Sequence, residues 1–382
     1  MKRLYLVLFT LIATIAINSC SSGKKAYEQG NYYQAVVKAV NRLRSNPGHK
    51  KSKETLKHSY PLAVENAEKD MANILDSDAP FKYRTVLRSY EQINAMYEEI
   101  RRSPGALKVV PNPKNYYPEV AKHKGLAAEE SYAAGIVALE RDTREDAKQA
   151  VYLFRDVQSF VPGYKDALTK IEEAMFKATL KVVVDQIPVP TAYTLSANFF
   201  QNKVEEHLYT QFRSTEFVRF YTPTEAEHEN LPYIDQYLRI QFDDFVVGET
   251  HLVTNIETLT KDSVVVGSVT LENGSKVDAY NTVKAKLTVN HKEVISNGLL
   301  SMRVFDGRTS AVLTHQKFNG EFIWFSEWGS FNGDERALTD EQIKICNSSE
   351  VPPPPPQDLF VEFTRPIYSQ LVTSINSFYA RY

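Results

Sequence analysis

The hydrophobic pattern changes its period near Leu180, and this change constrains the fold more than any other feature of the sequence. Before this point apolar residues recur every three or four positions, as at Val36 and Val40, which is typical of amphipathic helices. After it apolar and polar residues alternate, as over residues 283–289, which is typical of strands with one buried and one solvated face. The chain has 382 residues, enough for two domains.

We therefore predict the fold class α + (α+β). A helical domain occupies residues 24–180, and an α+β domain occupies residues 181–382. The second domain is expected to hold a mainly antiparallel sheet with covering helices, because long alternating segments favour antiparallel pairing.

Three Pro-Gly pairs indicate a repeat in the helical domain. Pro47-Gly48, Pro104-Gly105 and Pro162-Gly163 each follow an amphipathic segment and are spaced 57 and 58 residues apart. Proline disfavours a helical residue before it and glycine accepts the turn after it, so each pair predicts a helix end. The same spacing superposes three apolar positions, which are Val36, Ile93 and Val151.

The first of these units resembles a tetratricopeptide helix pair. The resemblance is carried by Gly30-Asn31-Tyr32, Ala35-Val36, Leu43 and Asn46-Pro47. It implies a degenerate helical array with a concave surface for docking another protein, and we take Tyr32 and Tyr33 as candidate partner-binding residues. The period exceeds the 34 residues of that family, so a plain helical bundle that spaces the second domain from a membrane is the alternative.

The second domain begins with a strand–helix–strand unit. We predict a strand at Leu180–Val184, a helix from Ser196 to Phe212 and a strand at Phe217–Tyr221. Further strands are predicted from alternating segments at residues 237–242, 264–271, 283–289, 300–304 and 311–318. Asn273-Gly274 and Asp306-Gly307-Arg308 are the turns between them.

A proline-rich spacer at residues 351–357 precedes the last predicted helix. Apolar residues then recur at helical spacing from Leu359 to Phe378. We expect Pro366 to begin or kink this helix, which covers the sheet.

The element order resembles the α+β domain shared by the curli secretion channel lipoprotein and the lipoprotein activators of peptidoglycan synthases. The specific likeness is the hairpin from Asn297 to Leu313 with its turn Asp306-Gly307-Arg308-Thr309-Ser310. Ser310 stands where those proteins often have glycine. The resemblance implies either an activator-like binding protein or a ring-forming channel component, in which Lys284 and Lys286 could face a lumen. A solvated sheet face accounts for the two lysines equally well.

The first 19 residues are predicted to be a signal peptide. Lys2 and Arg3 precede an apolar segment from Leu4 to Ile17, which is shorter than the roughly 20 residues of a membrane-spanning helix. With Ser19-Cys20 this resembles a bacterial lipoprotein signal, which implies that Cys20 is lipidated and that residues 20–23 form a tether. No acidic run follows Cys20, so we expect a lipid-anchored protein on the periplasmic side of the outer membrane.

Composition and motifs argue against catalysis and nucleic-acid binding. The net charge is −2 and the chain has 2 cysteines, so no basic surface for nucleic acid is indicated and Cys346 has no intramolecular partner once Cys20 carries lipid. None of the 8 histidines lies in a metal-binding motif. The acidic segment Glu225–Glu229 is expected to be a solvated loop. We predict no catalytic residues, no cofactor and no metal site.

The segment Glu321–Arg336 contains both tryptophans of the chain. Because Trp and Arg are enriched at binding hot spots, we take Trp324, Trp328, Phe331 and Arg336 as candidate partner-binding residues. The alternative is that these aromatic side chains fill the core beside the C-terminal helix, with Trp328 and Phe331 the most exposed.

The sequence thus predicts a non-enzymatic scaffold or assembly lipoprotein that binds envelope proteins and can form homo-oligomers. A ring-forming secretion channel component is the first alternative. An enzyme that acts on cell wall or glycan is the second.

Overall fold

A computed structural model describes residues 22–188 and 194–382 of the chain. The predicted signal peptide and Cys20 lie outside these residues. The chain divides between Ala178 and Thr179 into two compact units, which are described separately.

The first unit is built from helices. They are α1 (Lys24–Glu28), α2 (Tyr32–Ser45), α3 (Lys50–Leu75), α4 (Lys82–Arg101), α5 (Pro104–Leu107), α6 (Tyr117–Glu140), α7 (Arg144–Phe160) and α8 (Ala167–Ala178). Successive long helices pack against each other, α2 on α3, α3 on α4, α4 on α6, α6 on α7 and α7 on α8. Side chains fix several starts: Asn31 accepts a hydrogen bond from the backbone of Gln34, and Thr143 accepts one from that of Asp146.

The Pro-Gly pairs lie where these helices turn. Pro47-Gly48 separates α2 from α3, Pro104-Gly105 follows α4, and Pro162-Gly163 separates α7 from α8. The superposed apolar positions are all inside the unit, at 0% exposure for Val36, Ile93 and Val151. The helix before Gly30 differs from a tetratricopeptide helix, since α1 has only 5 residues.

The second unit contains a mixed sheet of 5 strands. Its elements are β1 (Leu180–Val184), α9 (Thr194–Phe212), β2 (Val218–Tyr221), α10 (Pro223–His228), β3 (Gln236–Thr270), β4 (Lys276–Asp306), β5 (Val312–Gly333), a 3₁₀ turn (Glu335–Ala337), α11 (Asp340–Cys346) and α12 (Pro356–Tyr379). The strand order is β2-β1-β3-β4-β5. β1 pairs in parallel with β2 and β3, whereas β3–β4 and β4–β5 are antiparallel.

The core of this unit lies between the sheet and helices α9 and α12. The strands contribute Leu238, Ile240, Leu300, Met302 and Phe318, and the helices contribute Phe200, Val204, Phe360, Phe363, Ile367 and Leu371. Alternating residues of each strand point to this side, which is why the alternation in the sequence predicts the buried positions. A smaller cluster of Val183, Tyr221 and Ala226 holds α10 on the opposite side.

Strand lengths differ from the sequence-based expectation. The segments predicted as separate strands at 237–242 and 264–271 belong to one strand of 35 residues, and those at 283–289 and 300–304 belong to one of 31 residues. Register shifts in β3, such as that between Val246 and Glu249, bend the strand and increase its local twist without ending it.

The C-terminal boundaries also differ. Helix α12 begins at Pro356, so the last residues of the predicted spacer belong to its first turn, where a missing backbone N–H costs nothing. Pro366 lies inside α12 and does not begin it.

Candidate functional site

The three long strands extend past the core as an arm, which consists of residues 249–261 of β3, 283–295 of β4 and 321–333 of β5. Its register is constant along these ranges, with Asn255 opposite Val289 and Val289 opposite Gly329. Residues opposite each other share a face, so odd-numbered residues of all three strands lie on one face and even-numbered residues on the other.

The even-numbered residues form a face rich in lysine, threonine and tryptophan, here called the lysine face. Its members are Thr250, Leu252, Thr254, Ile256, Thr258, Thr260, Lys284, Lys286, Thr288, Asn290, Lys292, Val294, Phe322, Trp324, Ser326, Trp328, Ser330 and Asn332. The odd-numbered residues form the glutamate face, with Glu249, His251, Val253, Asn255, Glu257, Leu259, Lys261, Val283, Ala285, Leu287, Val289, His291, Glu293, Ile295, Glu321, Ile323, Phe325, Glu327, Gly329, Phe331 and Gly333.

Most of the lysine face is solvent-exposed. Lys284 and Lys286 are exposed, and neither forms an ion pair with any residue in the described ranges. Leu252 and Ile256 expose 59% and 60% of their surface beside them. Met302, another even-numbered residue of β4, lies in the core. The lysine face is therefore on the same side of the sheet as α12, and it extends beyond the N-terminus of that helix.

Helix α11 covers the distal half of the glutamate face. Ala285, Leu287 and Leu338 form a buried cluster here, with Phe331, Ile343 and Cys346 packed against it. A Cβ atom on Gly329 would lie 3.2 Å from Cγ2 of Ile345, so the glycine allows the helix to approach the strand. Burial raises the pKa of the Cys346 thiol.

The proximal half of the glutamate face is uncovered. Nε2 of His291 lies 3.0 Å from Oε1 of Glu293, and Nδ1 of the same ring lies 3.7 Å from Oε1 of Glu327. Phe325 stacks on His291 with 5.9 Å between ring centroids and exposes 65% of its surface. Glu249 adds a carboxylate 3.4 Å from Nε2 of His251. This half of the face therefore combines carboxylates with apolar surface.

The predicted binding segment is divided between the two faces. Trp324 and Trp328 are half-buried on the lysine face, whereas Phe331 is half-buried under α11. The expectation that Trp328 and Phe331 are the most exposed is wrong, because both are half-buried and α11 packs on Phe331. The strongly exposed aromatic residue of the segment is Phe325.

Arg336 lies beyond the end of β5 and is held there by the loop. Its guanidinium donates to both carboxylate oxygens of Asp334 and to the backbone oxygen of Val265. The hydrogen bonds from Arg336 lower the pKa of Asp334 to about 2. Arg336 thus ties the loop after β5 to β3.

The other two candidate residues belong to the first unit. Tyr32 and Tyr33 begin α2 and are half-buried against its core, and the ring centroid of Tyr32 lies 5.6 Å from that of Tyr27. Cys20 lies outside the described residues.

In the described ranges, the candidate residues form a surface suited to binding and do not form a cluster of reactive groups. Within residues 22–188 and 194–382 no cluster of His, Cys, Asp or Glu has the arrangement of a metal site. The expected acidic loop is helix α10, where Glu225 forms a capping box with Thr222. Over the same ranges, no helix has the length and apolar character needed to cross a bilayer.

Sequence reasoning missed the glutamate face and the apolar residues of the lysine face. A signal was present: no proline occurs between Pro232 and Pro352. Since proline interrupts central strands, its absence over this length is compatible with uninterrupted pairing. Continuing the alternation from Val283 through Ile295 would have placed His291 and Glu293 on the side opposite Lys284.

Comparisons with known proteins do not identify the chain. No protein-family model and no curated protein matches it. Among solved structures, a match is the crystal structure of a protein described as a neuraminyllactose-binding hemagglutinin homologue from Helicobacter pylori. It has 10% sequence identity and a TM-score of 0.24, and covers 52% of this chain and 84% of that chain. At this TM-score the match supports no argument about fold or function.

Proposed function

We propose that this protein is a lipid-anchored scaffold or assembly factor on the periplasmic side of the outer membrane, which binds other envelope proteins without catalysis. The arm is the observation that supports this proposal best. It carries a largely exposed sheet face with lysines, half-buried tryptophans and exposed aliphatic side chains, a combination suited to binding a macromolecular surface.

The finer assignment of the two units is part of the same proposal. The first unit is a degenerate tetratricopeptide-like array, supported by its successive helix packing and by the equal burial of Val36, Ile93 and Val151. The second is a domain of the type found in the curli secretion and synthase-activator lipoproteins, with a mainly antiparallel sheet. Its support is the strand–helix–strand order and the hairpin at Asp306.

Membrane attachment is assigned to Cys20. Acyl chains there add about 0.8 kcal/mol per buried CH₂ group, and helix α1 begins at Lys24, so the tether is short. A Cys20→Ala variant is expected to move from the membrane pellet to the soluble fraction and to lose incorporation of labelled palmitate. Cys346→Ala is the matched control and should behave as wild type. Retention of Cys20→Ala in the pellet after a high-salt wash would refute the anchor.

Partner binding is tested by photo-crosslinking in the native host. A photo-reactive amino acid replaces Trp328 on the arm, and a second variant carries it at Tyr152, which is exposed in the first unit. We expect adducts with another envelope protein from position 328 and none of the same mass from position 152. If position 328 gives only adducts between copies of this chain, binding of other proteins by the arm is excluded.

A further inference from the structure

The two faces of the arm carry opposite charge. The lysine face holds Lys284, Lys286 and Lys292 and no acidic residue over the ranges that define the arm. The glutamate face holds five glutamates, two histidines and one lysine over the same ranges. Lys292 is neutralised by Glu350 at 2.7 Å, so Lys284 and Lys286 supply the positive charge that solvent meets.

From this asymmetry we propose that the lysine face of one copy stacks on the glutamate face of a second copy. The carboxylates that Lys284 and Lys286 would meet are Glu249, Glu293 and Glu327, which are about half-exposed on the uncovered half of that face. Opposite charges across an interface favour encounter and fix the register of the partners. The second copy is the occupant because the chain itself supplies the complementary surface.

Apolar residues accompany the charges on both sides of this contact. Ile256 projects from the lysine face beside Lys286, and Phe325 projects from the glutamate face beside Glu293, and both are exposed in the single chain. Stacked sheets lie roughly 10 Å apart and interdigitate such side chains. The contact would therefore remove Ile256 and Phe325 from water.

The contact is heterologous, because two different faces of the same sheet meet. Each copy in a pair keeps one unused face, so association continues beyond two copies unless the rotation between copies closes a ring. Lys286 and Glu293 are seven residues apart on β4, which corresponds to about 24 Å along the strand at ~3.4 Å per residue. Neighbouring copies are accordingly staggered along their arms.

This inference goes beyond the proposed function, since it needs only copies of this chain, and purified protein is enough to test it. The full-length chain in detergent is analysed by sedimentation velocity over a range of protein and salt concentrations. We expect species larger than the monomer that grow with protein concentration and shrink as salt rises from 50 to 500 mM, because screening weakens contacts between exposed charges.

Charge reversal then identifies the faces. The variants Lys284→Glu/Lys286→Glu and Glu293→Lys/Glu327→Lys should each associate at least tenfold more weakly than wild type. A one-to-one mixture of the two should associate again, because each reversed face now complements the other. Lys51→Glu/Lys57→Glu, which changes two exposed lysines of α3, is the matched control and should leave association unchanged. Circular dichroism checks that all variants keep the fold.

Three results would overturn the proposal. They are a wild-type chain that stays monomeric at low salt, reversal variants that associate like wild type, and a mixture that does not recover association.

Discussion

Two glycines determine how closely α12 lies on the sheet of the second unit. A Cβ atom on Gly320 would lie 2.2 Å from the backbone oxygen of Phe363, and one on Gly298 would lie 2.7 Å from Cε2 of the same residue. No L side chain fits at these distances, so helix and strands must separate if either glycine is replaced. The large aromatic cluster around Phe363 depends on this close approach.

We therefore expect Gly320→Ala to lower the free energy of unfolding of the second unit by about 1–3 kcal/mol, the cost of overpacking a core. Urea denaturation measures this change. Gly267→Ala is the matched control, since Gly267 is also in a strand but a Cβ there meets nothing within 4 Å. It should leave stability unchanged or raise it by up to about 1 kcal/mol. Equal effects of the two substitutions would contradict the packing argument.

The turn between β4 and β5 makes stability depend on pH through Asp306. Its Oδ1 accepts hydrogen bonds from the backbone N–H groups of Thr309 at 2.7 Å and Arg308 at 3.1 Å. These bonds, that of Thr309 above all, lower the pKa of Asp306 below its usual 3.8. A lowered carboxyl pKa adds stability that is complete above the unfolded value and is lost as pH falls through the folded value.

Asp306→Asn should accordingly be less stable than wild type at pH 7, and the difference should shrink as pH falls from about 5 to about 2. Urea midpoints at several pH values measure it. Asp278→Asn removes the same charge from an exposed position at the end of the hairpin and serves as the control. A difference between wild type and Asp306→Asn that is constant with pH would show that the carboxylate charge contributes nothing.

At the scale of elements, the hairpin end of β3 and β4 differs from the rest of the sheet. This tip, residues 262–282, extends past β5, and its apolar side chains Val265, Val269, Val277 and Tyr280 are exposed. The bond from Arg336 to the backbone of Val265 is a surface contact. Exposed apolar residues add little to folding stability.

Shortening the tip should therefore be tolerated. Replacing residues 263–281 by Asn-Gly joins Asp262 to Thr282, whose side chains already form a hydrogen bond of 2.6 Å. The free energy of unfolding should change by less than about 1 kcal/mol. Leu287→Ala, in the cluster under α11, should cost about 2–5 kcal/mol. A loss of that size on shortening would mean that the tip is part of the folded core.

At the scale of the whole molecule, the sequence predicts those features of the fold that depend on residues close together along the chain. The change of period near Leu180 follows from neighbouring residues, and it locates the transition from helices to an α+β unit. The hairpin turn at Asp306 was likewise predicted from its local sequence. Each depends on contacts within a few residues along the chain.

The remaining features depend on distant contacts. Helix α11 packs beside Gly329 on the glutamate-face side, whereas α12 packs beside Gly320 on the opposite side. Nothing in the spacing of Ile343 or Ile367 specifies which side of a sheet will receive each helix. The length of the arm was also not predicted. Strands usually have 3–10 residues, so each long alternating stretch was divided into several shorter predicted strands.

The length of β3 and β4 has a consequence for how the chain folds. Pairing Gln236 with Asp306 directly closes a loop of roughly 70 residues, which costs about 2–3 kcal/mol more chain entropy than closing a few residues. Growth from the Asn273-Gly274 turn avoids this cost, since each new pair is adjacent to one already formed. The tip, which stabilises the finished fold least, is then the place where pairing begins, and it delivers the strands in register to the helices that bury them.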